Sequence, residues 1–139
     1  MHAPLFARAI RDAGAPADCC ICFIDGTFRA CAKPTYAQEH VYSGYYKAHG
    51  VKFQSVVAPN GLIIELFGPH PGRHPDRHML AESRLEERMR QLSGLVGDGR
   101  VYHLYGDPVY AEGQYMMRGY KGSLTAQQAY LTHAMNALT

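Results

Sequence analysis

The order of apolar and periodic segments along the 139 residues predicts a mixed α/β domain. Three observations carry that expectation: a dense apolar run at residue 19, two β-branched runs around a Pro-Asn-Gly turn, and helical periodicities that flank a further short apolar run. Residues 19–24 are short and almost wholly apolar, which reads as a strand buried on both faces and ended by the turn-prone pair Asp25-Gly26. Residues 51–58 and 62–67, joined by Pro59-Asn60-Gly61, read as an antiparallel hairpin, because Asn-Gly supplies the positive φ of a tight turn. Residues 68–75 hold three prolines and two glycines, which predicts a shaped loop without regular structure. Asp76 then reads as the N-cap of a helix over 78–92, with Met79, Leu80, Leu85, Met89 and Leu92 at roughly helical spacing and an end at Ser93-Gly94. Residues 101–105 form a fourth strand, stopped at Gly106-Asp107-Pro108. Thr125 and Gln128 have the spacing of a capping box, and Tyr130, Leu131, Ala134, Met135 and Leu138 give the apolar stripe of a last helix that is expected to run to the final residue.

Length and composition bound the function before any motif is read. A chain of 139 residues, 47% of them apolar, makes one domain with its own core and excludes a multidomain machine. Fourteen basic against twelve acidic residues leave a net charge of +2, too small to name nucleic acid or membrane as a partner. No apolar run approaches the roughly 20 residues that cross a bilayer. The first twelve residues lack the order of a signal peptide. Cys19, Cys20, Cys22 and Cys31 crowd an apolar stretch, a poor layout for a disulfide framework, so the expectation is reduced thiols in an intracellular protein. Residues 1–18 are assigned as a lead-in helix or linker, and residues 19–139 as the domain itself.

Asp25 and Asp107 each follow a predicted strand. Were those strands neighbours, the two carboxylates would offer hard oxygen ligands to one divalent cation, Mg²⁺ or Mn²⁺. The competing reading is that both aspartates simply turn the chain. Other chemistries find little support. Ser43 and Ser55 lack a nucleophile elbow, and neither a phosphate-binding Gly-x-x-x-x-Gly-Lys loop nor a dinucleotide fingerprint is present. His70, His74 and His78 are spaced by four, but Pro71 and Pro75 break the helix that would align them, so loop histidines near the acidic residues are the preferred reading over a zinc site. Cys19 and Cys22, placed on a strand, point to opposite faces and read as core packing. The tyrosines between residues 102 and 130 are likewise read as packed and not as a base-stacking array.

Read together, a series of ordered blocks resembles the Harbinger-type DDE superfamily endonucleases, nucleases derived from transposases. The blocks are residues 23–27 (Phe-Ile-Asp-Gly-Thr), Tyr42-Ser43-Gly44, residues 49–54, Pro59-Asn60-Gly61, residues 68–76, and Leu104-Tyr105-Gly106-Asp107 with Tyr110 and the segment from Leu124 to Asn136. The resemblance implies a ribonuclease H-like mixed sheet, its first three strands antiparallel and a parallel strand after them, flanked by helices. It implies a metal-dependent attack on DNA phosphodiesters in which three carboxylates hold two divalent ions. Asp25 matches the first acid and Asp107 the second. Asp76 matches a loop aspartate that lines the site or caps the helix and is counted with Asp25 and Asp107 as a metal-side residue.

The third acid of the family, a glutamate on a later helix, has no counterpart here. Residues 113–139 contain no Asp or Glu, and Glu112 stands only five residues past Asp107. The expectation is therefore a domain incomplete at its C-terminus, lacking its last helix and catalytically impaired, and prone to self-association through an uncovered apolar face. The family's helix-turn-helix segment is also missing, so DNA contact should be weak and nonspecific, with a separate DNA-binding protein as a possible partner. His49, Lys52, Arg73 and His74 are the candidate DNA contacts; Arg29, Lys33 and Lys47 are further point charges that otherwise make up a solvated face. The alternative function class is an inactive transposon remnant that acts only as a DNA- or protein-binding module. Either way the resemblance points to a nuclear or otherwise intracellular protein.

Overall fold

In the computed structural model, which describes residues 2–110, 113–120 and 122–139, six strands form one mixed sheet with helices on both faces. Helix α1 (Ala3–Asp12) leads into β1 (Cys20–Ala30); α2 (Gln38–Val41) and the two-residue β2 (Tyr42–Ser43) follow. The hairpin β3 (Ala48–Val57) and β4 (Ile63–Pro71) precedes α3 (Asp76–Ser83) and α4 (Leu85–Val96). The chain then closes with β5 (His103–Gly106), β6 (Met116–Arg118) and α5 (Ala126–Asn136). The sheet runs β2-β3-β1-β5-β6, with β4 added to β3. Pairings β1 to β3, β3 to β4 and β2 to β3 are antiparallel, whereas β1 to β5 and β5 to β6 are parallel. The antiparallel first part and the parallel fourth strand are those of the expected mixed α/β, ribonuclease H-like sheet.

Alternation along the strands builds a core on each face. Cys22, Ile24, Leu104 and Met116 face Leu80, Leu85 and Met89 of α3 and α4. Tyr105, Phe23 and Met117 face Met135 and Leu131 of α5. Helix α1 serves both, with Ala3 and Ala7 on the first side and Ile10 on the second, so the lead-in residues are part of the packing. The register shifts between Cys20 and Cys22, and this bulge puts Cys20 on the α5 side while Cys22 stays on the other. Both are buried free thiols, which burial pushes up to about 12, and this is the chemistry of core residues. Tyr102, Tyr105 and Tyr110 are fully buried, as packing requires, while Tyr130 is exposed.

Several local expectations are corrected. The first strand does not stop at Asp25-Gly26 but continues to Ala30, because β3 pairs with it from Phe23 to Ala30. The proline-rich segment is not wholly irregular, since β4 extends to Pro71. An edge strand tolerates missing donors, and Gly68 and Pro69 together oppose Phe53 in a bulge. The helix after Asp76 is two helices, broken at Arg84 with φ of 53°. A continuous helix would rotate Leu85 and Met89 away from the core that Met79 and Leu80 enter, and the left-handed residue turns them back. The second of these helices runs past Ser93-Gly94 to Val96, where Gly97 takes the left-handed conformation. Asp76 is the first residue of α3, with Pro75 at the cap position. The capping box of Thr125 and Gln128 is present, and α5 ends at Asn136 rather than at the last residue.

Candidate metal centre

Parallel pairing of β1 with β5 ends at Ile24 opposite Gly106. The next residue along each chain segment is an aspartate, Asp25 still within β1 and Asp107 just past the end of β5, so the two stand side by side where the parallel pair opens. Carboxyl ends of parallel strands are favoured positions for ligands in open α/β sheets. Asp25 lies within a continuous strand, opposite Ser55 of β3, whose hydroxyl donates to the Asp25 carbonyl at 3.4 Å. Asp107 does turn the chain: its Oδ1 accepts from the Val109 amide at 3.0 Å and its carbonyl from the Tyr110 amide at 3.0 Å. Arg118 steadies that turn by donating to the Pro108 carbonyl at 3.0 Å.

Asp76 joins them from α3. A Cβ placed on Gly26 would lie 2.7 Å from Asp76 Oδ2, so the carboxylate rests directly on the β1 backbone beside Asp25. Only glycine allows that approach. Lys52, buried on β3, forms an ion pair with Asp76 and donates to the His74 carbonyl at 3.1 Å. The pKa of Asp25 is raised, first by burial and then by the negative charges of Asp76 and Asp107, with the Gly26 amide opposing the shift. The Tyr110 hydroxyl is also raised, by burial and then by Asp76, Asp25 and Asp107. Asp25 is therefore disfavoured as an anion by its surroundings, a condition that a bound divalent cation relieves. The all-oxygen donor set suits a hard cation.

Two cavities meet at this point. One, of about 510 Å³, is lined by Asp25, Asp76 and Asp107 together with Lys52, Arg73, His74 and Arg77. Its rim carries Tyr45, which is 88% exposed, and Tyr46, whose ring stacks on Phe28 at 4.3 Å. The other, of about 540 Å³, lies toward α5 and is lined by Asp25, Ser55, Asp107 and Asn136. Asn136 accepts from the Tyr105 hydroxyl at 2.8 Å, which fixes the end of α5 beside the acids. Asp25 and Asp107 border both cavities.

Of the residues singled out in the sequence, the fold gathers Asp25, Asp76, Asp107, Lys52, Arg73 and His74 around one cavity. His49 stands outside that lining, its ring edge-on to Tyr42 at 5.2 Å. Glu112 lies outside the described residues. Arg77 and the Tyr45-Tyr46 pair were missed. Arg77 follows Asp76 by one residue and a basic residue in a first helical turn carries no distinct signal, whereas the aromatic pair directly after Tyr42-Ser43-Gly44 was a readable one. The break of His70, His74 and His78 across different elements holds as argued, yet His70 and His74 still stack, with ring centroids 5.0 Å apart.

No helix among the described residues is long and apolar enough to cross a membrane. No curated protein and no solved structure matched the chain. A family model described as DDE superfamily endonuclease matches residues 24–138. That match opens one residue before Asp25, takes in Asp76 and Asp107, and spans far more than half of the sequence, so this chain belongs to the DDE superfamily endonucleases.

Proposed function

We propose that this domain is a divalent-metal-dependent, DDE-type nuclease domain of transposase descent acting on DNA phosphodiesters. One observation carries the proposal: Asp25 on β1 and Asp107 just past the end of the neighbouring parallel strand β5 stand together where two cavities meet, with Asp76 beside them. Asp25 and Asp107 are assigned as the catalytic pair and, with Asp76, as the residues that would hold Mg²⁺ or Mn²⁺. A cation held there supplies an acidified water and offsets charge on the phosphate. The protein's own residues do the rest. Arg73 and Arg77 line the cavity as exposed charges that would meet a sugar-phosphate chain, His74 borders them, and Tyr45 offers a base-stacking surface. We assign residues 19–139 to the nuclease domain and residues 1–18 to its lead-in helix. Acting on DNA, it belongs in the nucleus or elsewhere inside the cell.

Among the described residues the two cavities gather three aspartates and no glutamate, and we therefore assign the cluster cation binding with slow nicking. The Lys52–Asp76 ion pair supports a second reading, a binding module without catalysis, because an ammonium already neutralises one of the three acids. Thermal melting with Mn²⁺ separates the two. Binding to the native state raises the melting temperature by mass action. The nuclease reading expects a rise that Asp25→Asn and Asp107→Asn each abolish, with slow Mn²⁺-dependent nicking of supercoiled plasmid that disappears in both variants. No rise with Mn²⁺ favours the binding module. Vigorous nicking that survives Asp107→Asn would overturn the assignment of the acids.

A further inference from the structure

A second group of donor atoms comes together beyond the carboxylates, between the end of β4 and the last turn of α3. His70 Nδ1 lies 3.7 Å from Glu82 Oε2, and His74 Nε2 lies 3.1 Å from Glu82 Oε1. One donor atom from each of the three residues falls within 4.8 Å of the others. Each is positioned by a different part of the fold. His70 sits opposite Lys52 in the β3–β4 ladder, with its ring 5.0 Å from that of Phe67. His74 is held by its amide, which donates to the Pro71 carbonyl at 2.8 Å, and by its carbonyl, which accepts from Lys52. Glu82 rides on α3 next to Ser83, whose hydroxyl is buried against Gln54.

The imidazole of His74 turns Nε2 into this group without completing a hydrogen bond. The atom is buried and has no hydrogen-bond partner among the described residues, although the Glu82 oxygen is close. Proximity without alignment is poor hydrogen bonding but adequate metal ligation, where the ion and not the partner atom receives the lone pair.

We propose that His70, His74 and Glu82 form a three-ligand site for a divalent transition-metal ion of the Zn²⁺ class, separate from the carboxylate cluster. Two imidazoles and one carboxylate select such an ion over Mg²⁺, which takes oxygen ligands. Zinc bonds of about 2.0–2.1 Å set tetrahedral ligand edges of about 3.3 Å. His74 Nε2 stands 3.1 Å from Glu82 Oε1, close to that edge, and one ligand atom from each of the three residues lies within 4.8 Å of the others. Three protein ligands leave a fourth position for water or a phosphate oxygen. The ion would tie β4 to α3 and fix His74, whose carbonyl holds Lys52 beside Asp76.

The test uses the full 139-residue chain, stripped with EDTA and titrated with Zn²⁺ or Co²⁺ alone. Two backgrounds isolate the site: Asp25→Asn/Asp107→Asn, and the unaltered chain in excess Mg²⁺. In each, the expected result is one saturable equivalent of Zn²⁺ by calorimetry and the intense visible bands of four-coordinate Co²⁺. Glu82→Gln and His74→Gln should each lose that uptake and those bands, while His78→Gln keeps both. Glu82 is half exposed, so Glu82→Gln should retain the metal-free melting temperature and report ligation alone. Absence of saturable uptake, uptake untouched by Glu82→Gln, or a pale six-coordinate Co²⁺ spectrum would overturn the proposal. Such a failure leaves the Mn²⁺ response of Asp25 and Asp107 unaffected, because the two readouts depend on different residues.

Discussion

Gly26 sets how closely Asp76 approaches β1. With Asp76 Oδ2 only 2.7 Å from where a Cβ would stand, Gly26→Ala is expected to push the carboxylate off the strand and shrink the Mn²⁺-induced rise in melting temperature. Far-UV circular dichroism should stay unchanged; a rise equal to that of the parent would remove Asp76 from the donor set. His103 gives a pH dependence at the same scale. Burial lowers its pKa below the ordinary 6.5, so the native state holds fewer protons than the unfolded chain as the pH drops below that value. Its contribution is present in full above pH 6.5 and is lost progressively as the pH falls from there through the lowered native pKa. Urea melts at pH 7.5 and 5.5 should show a larger acid loss for the parent than for His103→Phe, and equal losses would refute the assignment.

At the scale of elements, α3 is the piece on which both proposed sites depend, with Asp76 at its start and Glu82 near its end. A buried polar link seats it. Gln54 on β3 donates through Nε2 to Ser83 Oγ at 3.0 Å, and Ser83 Oγ donates to the Leu80 carbonyl at 2.8 Å. Ser83→Ala leaves the Gln54 amide buried without that acceptor and is expected to cost about 1–3 kcal/mol in urea unfolding. A loss within 0.5 kcal/mol, the roughly neutral range of surface changes, would mean that Gln54 finds another partner. The capping box at α5 is worth a smaller amount. Thr125→Ala is expected to cost about 1 kcal/mol, because Thr125 Oγ1 accepts from the Gln128 amide at 3.2 Å. The box was legible in the sequence because its spacing is local. The break at Arg84 was not, since it answers to the sheet that Leu85 and Met89 must reach.

For the whole molecule, β4 is the conspicuous surface. Among the described residues it pairs with β3 alone, and Ile63, Ile64 and Leu66 are each more than half exposed. An apolar edge strand offers unpaired backbone groups to a second copy. We propose this exposed apolar edge as the place where two copies would associate. Sedimentation velocity should show concentration-dependent association that Ile64→Lys/Leu66→Lys removes, and a parent that stays monomeric throughout would argue against it.

The sequence by itself determined the elements whose causes are local. The Asn-Gly hairpin, the apolar first strand, the capping box of the last helix and the aspartate that follows the short strand at residue 106 were all readable, because each depends on neighbours a few residues away. It also determined the family, through several short blocks in a fixed order. Tertiary structure alone decided that Asp25 lies within a long strand, since only the β3 partner carries β1 on to Ala30. It decided that Asp76 rests on Gly26, fifty residues away in sequence, and that Glu82 joins His70 and His74 although two prolines separate the histidines from one helix. Side chains meet across a sheet according to register and crossing, and neither quantity is encoded in the spacing of residues along one segment.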